Sequence, residues 1–146
     1  MPEDKAIKTV CVIGTRPEAI KLAPVIHALR QRPESFQTRI LATAQHREML
    51  DQVLDCFSLT PDTDLDLMRP DQTLSDLTSR TLTGLSEYLE ENRPNLVLGQ
   101  GDTTTTMAAA LASFYLRIPF GHVEAGLRTG DLYAPVSYTH LRAHET

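Results

Sequence analysis

Short apolar runs alternate with helix-forming segments along most of this chain, and this alternation constrains the fold more than any other feature. The predicted strands are Ile7–Ile13, Gln37–Thr43, Asn95–Gly99 and a fourth that follows Pro119, and the first of them is apolar at four consecutive positions. Runs of this length suit strands that are buried on both faces of a parallel sheet. Strands that alternate with helices predict right-handed crossovers and therefore a doubly wound, Rossmann-like α/β domain. A chain of 146 residues buries one core, so we expect one domain or a piece of a larger protein.

The first predicted helix follows the glycine that ends the first strand. Thr15 can cap this helix, Pro17 occupies its first turn, and Glu18 suits the positive end of the helix dipole. Pro24 predicts a kink or a bifurcated turn within it. Its predicted buried face consists of apolar residues at helical spacing, namely Ile20, Ala23, Ile26 and Leu29.

The middle of the chain contains an irregular acidic segment and a long amphipathic helix. Residues 59–71 include two prolines and predict a surface excursion without regular structure. Thr73 and Asp76 then form the pattern of a capping box. The apolar face predicted for the following helix comprises Leu74, Leu77, Thr81, Leu85, Tyr88 and Leu89.

The composition excludes several classes of protein. A net charge of -5 and the lack of any run of Lys or Arg argue against a nucleic-acid or membrane-surface role. No apolar run reaches the roughly 18 residues of a membrane span. Cys11 and Cys56 are predicted to be reduced core residues of a cytosolic chain without a secretory leader. No group of His, Cys and carboxylate residues has metal-ligand spacing, so we expect neither a metal nor another cofactor.

Two carboxylates are predicted to lie at the same edge of the sheet. Asp102 follows the strand that ends at Gly99, and Glu124 follows the next strand along the chain. Ligands of open α/β sheets bind at the carboxyl ends of the strands, which makes both residues candidates for catalysis. Two structural alternatives stay open: Asp102 can be a plain helix N-cap, and Glu124 can form an ion pair with Arg128.

Two cations accompany the start of the first helix. Arg16 and Lys21 surround a helix N-terminus, where free backbone amides attract anions. The segment is neither a Walker A loop nor a GxGxxG turn. The alternative is that both side chains are solvated residues of the first turns.

Taken together, these motifs resemble the non-hydrolysing UDP-N-acetylglucosamine 2-epimerases of bacteria, over essentially the whole of residues 10–135. The resemblance rests on the segments Gly14–Lys21, Thr43–Leu50, Gly101–Thr106 and Gly121–Tyr133.

The resemblance implies the N-terminal half of a GT-B fold, in which two Rossmann-like domains face each other across a cleft. It implies inversion at C2 of the sugar by anti elimination of UDP and re-addition, in a cytoplasmic homodimer that serves surface polysaccharide biosynthesis. Asp102 and Glu124 would then be acid/base groups, and Arg16 and Lys21 would bind the UDP-sugar substrate. Bacterial members also bind a second substrate molecule as activator, and Gln45 and His46 lie in the matching region.

The resemblance stops after Pro135. Members of the family continue with another catalytic glutamate and later supply a histidine and most of the UDP pocket. Residues 136–146 depart from that pattern, and their back-translation looks like a sequencing-library adapter. We therefore expect residues 1–135 to be the N-terminal domain of a truncated enzyme that is inactive alone, and 136–146 to be a non-native tail.

Two other functions are compatible with these residues. The parent protein can be a hydrolysing relative that releases N-acetylmannosamine and UDP, or an epimerase of a modified UDP-sugar. A function of a different class is a non-catalytic domain that binds a nucleotide-sugar or phosphate.

Overall fold

The computed structural model describes residues 5–43 and 47–124, in which strands and helices alternate as the sequence predicts. The strands are β1 (Ile7–Ile13), β2 (Phe36–Ala42), β3 (Thr63–Asp64), β4 (Leu96–Gln100) and β5 (Phe120–Val123). The helices are α1 (Arg16–Arg30), α2 (Arg47–Cys56), α3 (Leu74–Asn92) and α4 (Thr104–Tyr115). The strands form one parallel sheet in the order β3-β2-β1-β4-β5. The predicted Rossmann-like α/β fold is thus confirmed.

The order of the strands reverses between β1 and β4. From β1 the chain moves outward to β2 and β3, and it then crosses to the other side of β1 and continues to β4 and β5. Adjacent loops run in opposite directions at such a point, and the crevice between them is where open α/β sheets bind ligands. The turns after β1 and β4 therefore border the crevice at which a ligand site is expected.

The core has one layer on each face of the sheet, as expected of a doubly wound domain. Alternate residues of β1 point to opposite layers: Val10 and Val12 pack with α3 and α4, whereas Cys11 and Ile13 pack with α1 and α2. This arrangement explains why β1 is apolar at consecutive positions rather than at every second one.

The short β3 corrects the prediction for residues 59–71. Thr63 and Asp64 pair with Leu41 and Ala42, so this segment adds a fifth strand at the edge of the sheet. Two residues carry no periodic signal, and their extended conformation comes from pairing with β2.

Three predictions of burial are wrong. Ile20 and Leu74 are 42% and 71% exposed, because the buried faces of α1 and α3 are narrower than spacing alone suggested. The face of α1 that packs on the sheet is formed by Ala19, Leu22, Ala23 and Ile26. Cys56 is an exposed free thiol at the end of α2, whereas Cys11 is fully buried as predicted.

The predicted helix starts are largely confirmed. Thr73 and Asp76 form both hydrogen bonds of a capping box at the start of α3. Thr15 is the N-cap of α1, but its side chain makes no capping hydrogen bond. The helix runs unbroken from Arg16 to Arg30 through Pro24.

Several predicted features lie outside the described residues. They are the candidate effector contacts Gln45 and His46, the alternative ion-pair partner Arg128, and the tail 136–146.

Candidate active site

Asp102 and Glu124 flank a tight turn at the carboxyl edge of the sheet. Gln100 of β4 and Val123 of β5 are register partners, so the residues that follow them, Gly101 and Glu124, leave the sheet side by side. Gly101 has a φ of +84°, a conformation that L side chains rarely adopt, and this turn presents the exposed Asp102 to solvent. The structure thus brings both predicted catalytic carboxylates to one crevice.

The carboxylate of Glu124 is half-buried and is held from the sheet. Its Oε2 accepts a hydrogen bond of 3.3 Å from Nε2 of Gln100, a residue that is only 2% exposed. The same oxygen lies 3.8 Å from the point where a Cβ on Gly101 would be. A Cβ at position 101 would make only ordinary van der Waals contact with the carboxylate, so the positive φ is what requires glycine there.

His122 of β5 contacts the turn at Gly101 through a hydrogen bond. Its Nε2 lies 2.6 Å from the carbonyl oxygen of Gly101. A carbonyl oxygen can only accept, so Nε2 of His122 carries the proton in this contact. The imidazole also stacks on Phe120 with ring centroids 6.3 Å apart.

Glu18 is the one charged residue among the buried side chains of the described residues, with 1% of its surface exposed. Its Oε2 accepts a hydrogen bond of 3.1 Å from the backbone amide of Gly14. Its Oε1 accepts from the hydroxyl of Thr103 at 2.7 Å and lies 3.0 Å from that of Thr106. The hydrogen bonds that Glu18 accepts from these neighbours offset the large cost of burying a carboxylate.

The turn after β1 also contacts the turn after β4 through very close packing. A Cβ on Gly14 would lie 2.3 Å from Oγ1 of Thr105 and 2.8 Å from Oγ1 of Thr43. Those two hydroxyls are themselves 3.2 Å apart and buried. Only glycine fits at position 14, which is a packing requirement of this site.

Arg16 and Lys21 lie on the outer side of α1. Both are exposed, and both line one open depression of about 590 Å³ next to the N-terminus of the helix. Its remaining lining is mainly apolar and consists of Thr15, Pro17, Ile20 and Met49. The two predicted cations therefore share one open surface at the start of α1.

The structure decides one of the open alternatives. The N-cap of α4 is Thr103, whose side chain accepts from the amide of Thr106, so Asp102 is not the cap. The position of Glu18 was missed, because a glutamate in a first helical turn is common and its partners lie 85 and 88 residues away. The threonines at 103 and 106, both at the start of α4, were the available signal.

Neither a metal cluster nor a membrane span is found in the part of the chain that the structure describes. No group of three or more His, Cys, Asp or Glu residues is placed to hold a metal ion there. Within the same residues, no helix has the length and hydropathy needed to cross a membrane.

Comparison with known proteins gives a consistent family. The sequence model of the UDP-N-acetylglucosamine 2-epimerase family matches residues 27–143. The UDP-N-acetylglucosamine 2-epimerase of Yersinia pestis is 61% identical over 129 residues, which are 88% of this chain and 34% of the relative. That of Escherichia coli K12 is 60% identical over the same share of each chain.

A solved structure agrees with the sequence relatives. The crystal structure of UDP-GlcNAc 2-epimerase from Neisseria meningitidis bound to UDP-GlcNAc superimposes with a TM-score of 0.85 at 49% identity, covering 94% of this chain and 38% of that one. The chain thus spans about a third of the length of the curated relatives that it matches. Since the family model covers most of its residues, this chain belongs to the UDP-N-acetylglucosamine 2-epimerase family.

Proposed function

We propose that this chain forms the N-terminal catalytic wall of a non-hydrolysing UDP-N-acetylglucosamine 2-epimerase, which interconverts UDP-N-acetylglucosamine and UDP-N-acetylmannosamine. Asp102 and Glu124 are its acid/base groups on this side of the cleft. Arg16 and Lys21 bind the substrate diphosphate or sugar. The facing wall, with the rest of the UDP pocket, belongs to the second Rossmann-like domain of the GT-B fold in the complete enzyme.

The reaction explains why carboxylates and cations are needed together. A base removes the proton from C2 while the bond between C1 and the diphosphate oxygen breaks, which releases UDP and leaves a glycal. Addition of UDP to C1 with delivery of a proton to the opposite face of C2 gives the epimer. No carbonyl neighbours C2 to acidify its proton, so the departure of UDP has to be assisted as the proton is withdrawn.

One observation carries the proposal: Asp102 and Glu124 follow the neighbouring strands β4 and β5 and lie on the two sides of Gly101, beside the crevice where the strand order reverses between β1 and β4. A carboxylate near each face of a reacting carbon is what inversion by removal and return of a proton demands. Glu124 is fixed by Gln100, whereas Asp102 is exposed at the mouth of the crevice.

A chimera tests the proposal. The 129 residues of this chain that align with the Yersinia pestis relative replace the corresponding segment of that protein. Formation of UDP-N-acetylmannosamine is followed by proton NMR. We expect the chimera to turn over, and Asp102→Asn or Glu124→Gln to lower kcat at least 100-fold, in line with typical acid/base contributions of about 10²–10⁴. Glu90→Ala, an exposed carboxylate on α3, is the matched control.

An inactive chimera, or an Asp102→Asn variant that keeps kcat within about threefold, would contradict this assignment. If free N-acetylmannosamine and UDP accumulate, the enzyme is a hydrolysing member of the family. If the chimera acts only on an altered sugar, it is an epimerase of a modified UDP-sugar.

A non-catalytic domain that binds nucleotide-sugar or phosphate is the alternative of a different class. The depression beside Arg16 and Lys21 supports it, since its cations adjoin a helix N-terminus. Titration of the 146-residue chain with UDP and with UDP-N-acetylglucosamine, using Arg16→Ala as control, tests whether the chain binds either one.

The remaining features of the proposed enzyme follow from the same assignment. It is a cytoplasmic homodimer without a cofactor, its product serves surface polysaccharide biosynthesis, and a second UDP-sugar molecule activates it near Gln45 and His46. Residues 1–135 are its native N-terminal domain, and 136–146 are a foreign tail. Re-amplifying the gene tests this last point, because a native codon sequence continuing through position 136 would refute it.

A further inference from the structure

The segment Gly101–Asp102–Thr103 is held from both of its ends. On one side, the carbonyl of Gly101 accepts a hydrogen bond of 2.6 Å from His122 of β5. On the other side, the hydroxyl of Thr103 donates to Oε1 of Glu18 at 2.7 Å. Asp102 lies between these two anchors, so its exposed carboxylate stands on a backbone that is fixed from β5 and from α1.

Ordinary helix capping does not account for Glu18. In a capping box the glutamate at N3 accepts from the amide of the N-cap, which is Thr15 here, whereas Oε2 of Glu18 accepts from the amide of Gly14, one residue earlier. The second oxygen instead leaves α1 and meets the hydroxyls of Thr103 and Thr106 at the start of α4. The carboxylate thus links the turn after β1 to the turn after β4.

The hydroxyl of Thr106 lies between Glu18 and the end of β4. Its Oγ1 lies 3.0 Å from Glu18 and 2.8 Å from the carbonyl oxygen of Gln100, the last residue of β4. Gln100 in turn donates to Glu124. A hydroxyl donates only one proton, so Thr106 bonds to either Glu18 or Gln100 at a time, and the link from Glu18 to the segment that carries Asp102 is the hydrogen bond from Thr103.

We propose that Glu18 is a positioning residue for Asp102: through Thr103 it fixes where the Asp102 carboxylate stands relative to Glu124 and to the N-terminus of α1. This inference rests on the function proposed above. Effective general acid/base catalysis needs the carboxylate placed to within a fraction of an ångström, and a misplacement of about 1 Å can cost on the order of 100-fold in rate.

Glutamine at position 18 preserves the link without the charge. Its amide oxygen can accept from the amide of Gly14 while its NH₂ donates to Thr103, and the threonine hydroxyls then donate onward to one another and to Gln100. Alanine removes every contact. We therefore expect Glu18→Ala to lower kcat about 100-fold with KM changed less than threefold, and Glu18→Gln to recover kcat to within about tenfold of the unmodified chimera.

A double-mutant cycle in the chimera separates positioning from a general loss of structure. If Glu18 acts through Asp102, Glu18→Ala lowers kcat little further once Asp102→Asn is present. If the two losses multiply, the inference is wrong. Thr103→Val, which keeps the size of the side chain but removes its hydroxyl, supplies a second cycle should Glu18→Ala fail to fold, and the same two outcomes apply to it.

The failures of the two proposals are distinguishable. A single Asp102→Asn variant that stays active overturns the proposed function. If Asp102→Asn lowers kcat at least 100-fold while Glu18→Ala stays fully active, or if the two losses multiply in the cycle, only the role of Glu18 is overturned.

Discussion

The hydroxyl of Thr103 lies 2.7 Å from Oε1 of Glu18, and this contact joins the first turn of α4 to the first turn of α1. The two turns stand on opposite sides of the point where the strand order of the sheet reverses. Open α/β domains bind their ligands in the crevice at that point. Here the buried carboxylate of Glu18, which accepts from Gly14 and Thr103, spans part of it, so the turns are positioned before any ligand arrives.

Loss of the Thr103 hydroxyl should destabilise the domain. Thr103→Val removes the N-cap of α4 and one donor to a buried carboxylate. We expect a loss of about 1–3 kcal/mol in the free energy of unfolding, measured by urea denaturation. Thr104→Val is the matched control, since the hydroxyl of Thr104 makes no hydrogen bond among the described residues and Thr104 lies one position further along. Equal effects of the two changes would contradict the prediction.

Gly14→Ala should be disruptive although its backbone conformation suits any residue. The new methyl group would lie 2.3 Å from Oγ1 of Thr105 and 2.9 Å from its Cβ, so the buried turns would have to separate. We expect a loss of about 1–3 kcal/mol or more in the free energy of unfolding by the same urea assay.

Gly84→Ala on α3 is the contrasting change. Its methyl group would meet the end of the flexible, half-buried Leu67 side chain at 3.2 Å, and alanine favours the helix by about 1 kcal/mol. We expect it to be neutral or stabilising, and a loss as large as that of Gly14→Ala would show that the close approach at Gly14 is not what matters.

The local features of the fold were predictable because their causes are local. Consecutive apolar residues ending at Gly14 define β1, and the side chains of Thr73 and Asp76 define the start of α3 three residues apart. By contrast, Thr63 and Asp64 form a strand only because β2 lies beside them. Two residues are too few to show the alternation of apolar and polar positions that predicts a strand.

The candidate site likewise has residues that the sequence predicts and one that depends on contacts far apart in the chain. Asp102 and Glu124 were predicted from their places after apolar runs, and the sheet brings them to one edge. The role of Glu18 could not be predicted, because its contacts require β1 to lie next to β4. For Ile20 the sequence predicted too much. Its spacing from the buried residues of α1 placed it on the same face, but its side chain is exposed and lines the depression beside Arg16.

The two cysteines should differ strongly in reactivity. Burial raises the pKa of the Cys11 thiol to about 12, whereas Cys56 is exposed at the end of α2. The thiolate is the nucleophile, so Cys11 should not react with a thiol reagent at pH 8. We expect one thiol to react in the native chain and two in denaturant. Cys56→Ser should abolish the native reaction, and rapid labelling of Cys11 in that variant would contradict its burial.

The same burial predicts a loss of stability at high pH. The pKa of Cys11 is about 12 in the folded chain and near its ordinary value of 9.0 once unfolded. Below pH 9 both states keep the proton. As pH rises from 9 toward 12 the unfolded chain loses it first, so unfolding becomes more favourable by up to about 1.4 kcal/mol per pH unit. Urea denaturation of Cys11→Ala should show a shallower decline over this range, and an unchanged slope would refute the assignment.

The 146-residue chain itself should show no epimerase turnover. It spans about a third of the length of its relatives, and the proposed mechanism places the opposite wall of the cleft in the remainder. A base without the groups that bind and release UDP cannot drive the elimination, since removing the C2 proton and losing UDP are coupled. We expect no UDP-N-acetylmannosamine by proton NMR under conditions in which the Yersinia pestis chimera reaches equilibrium. Detectable conversion by the chain alone would show that Asp102, Glu124, Arg16 and Lys21 suffice, and the two-wall mechanism would then be wrong.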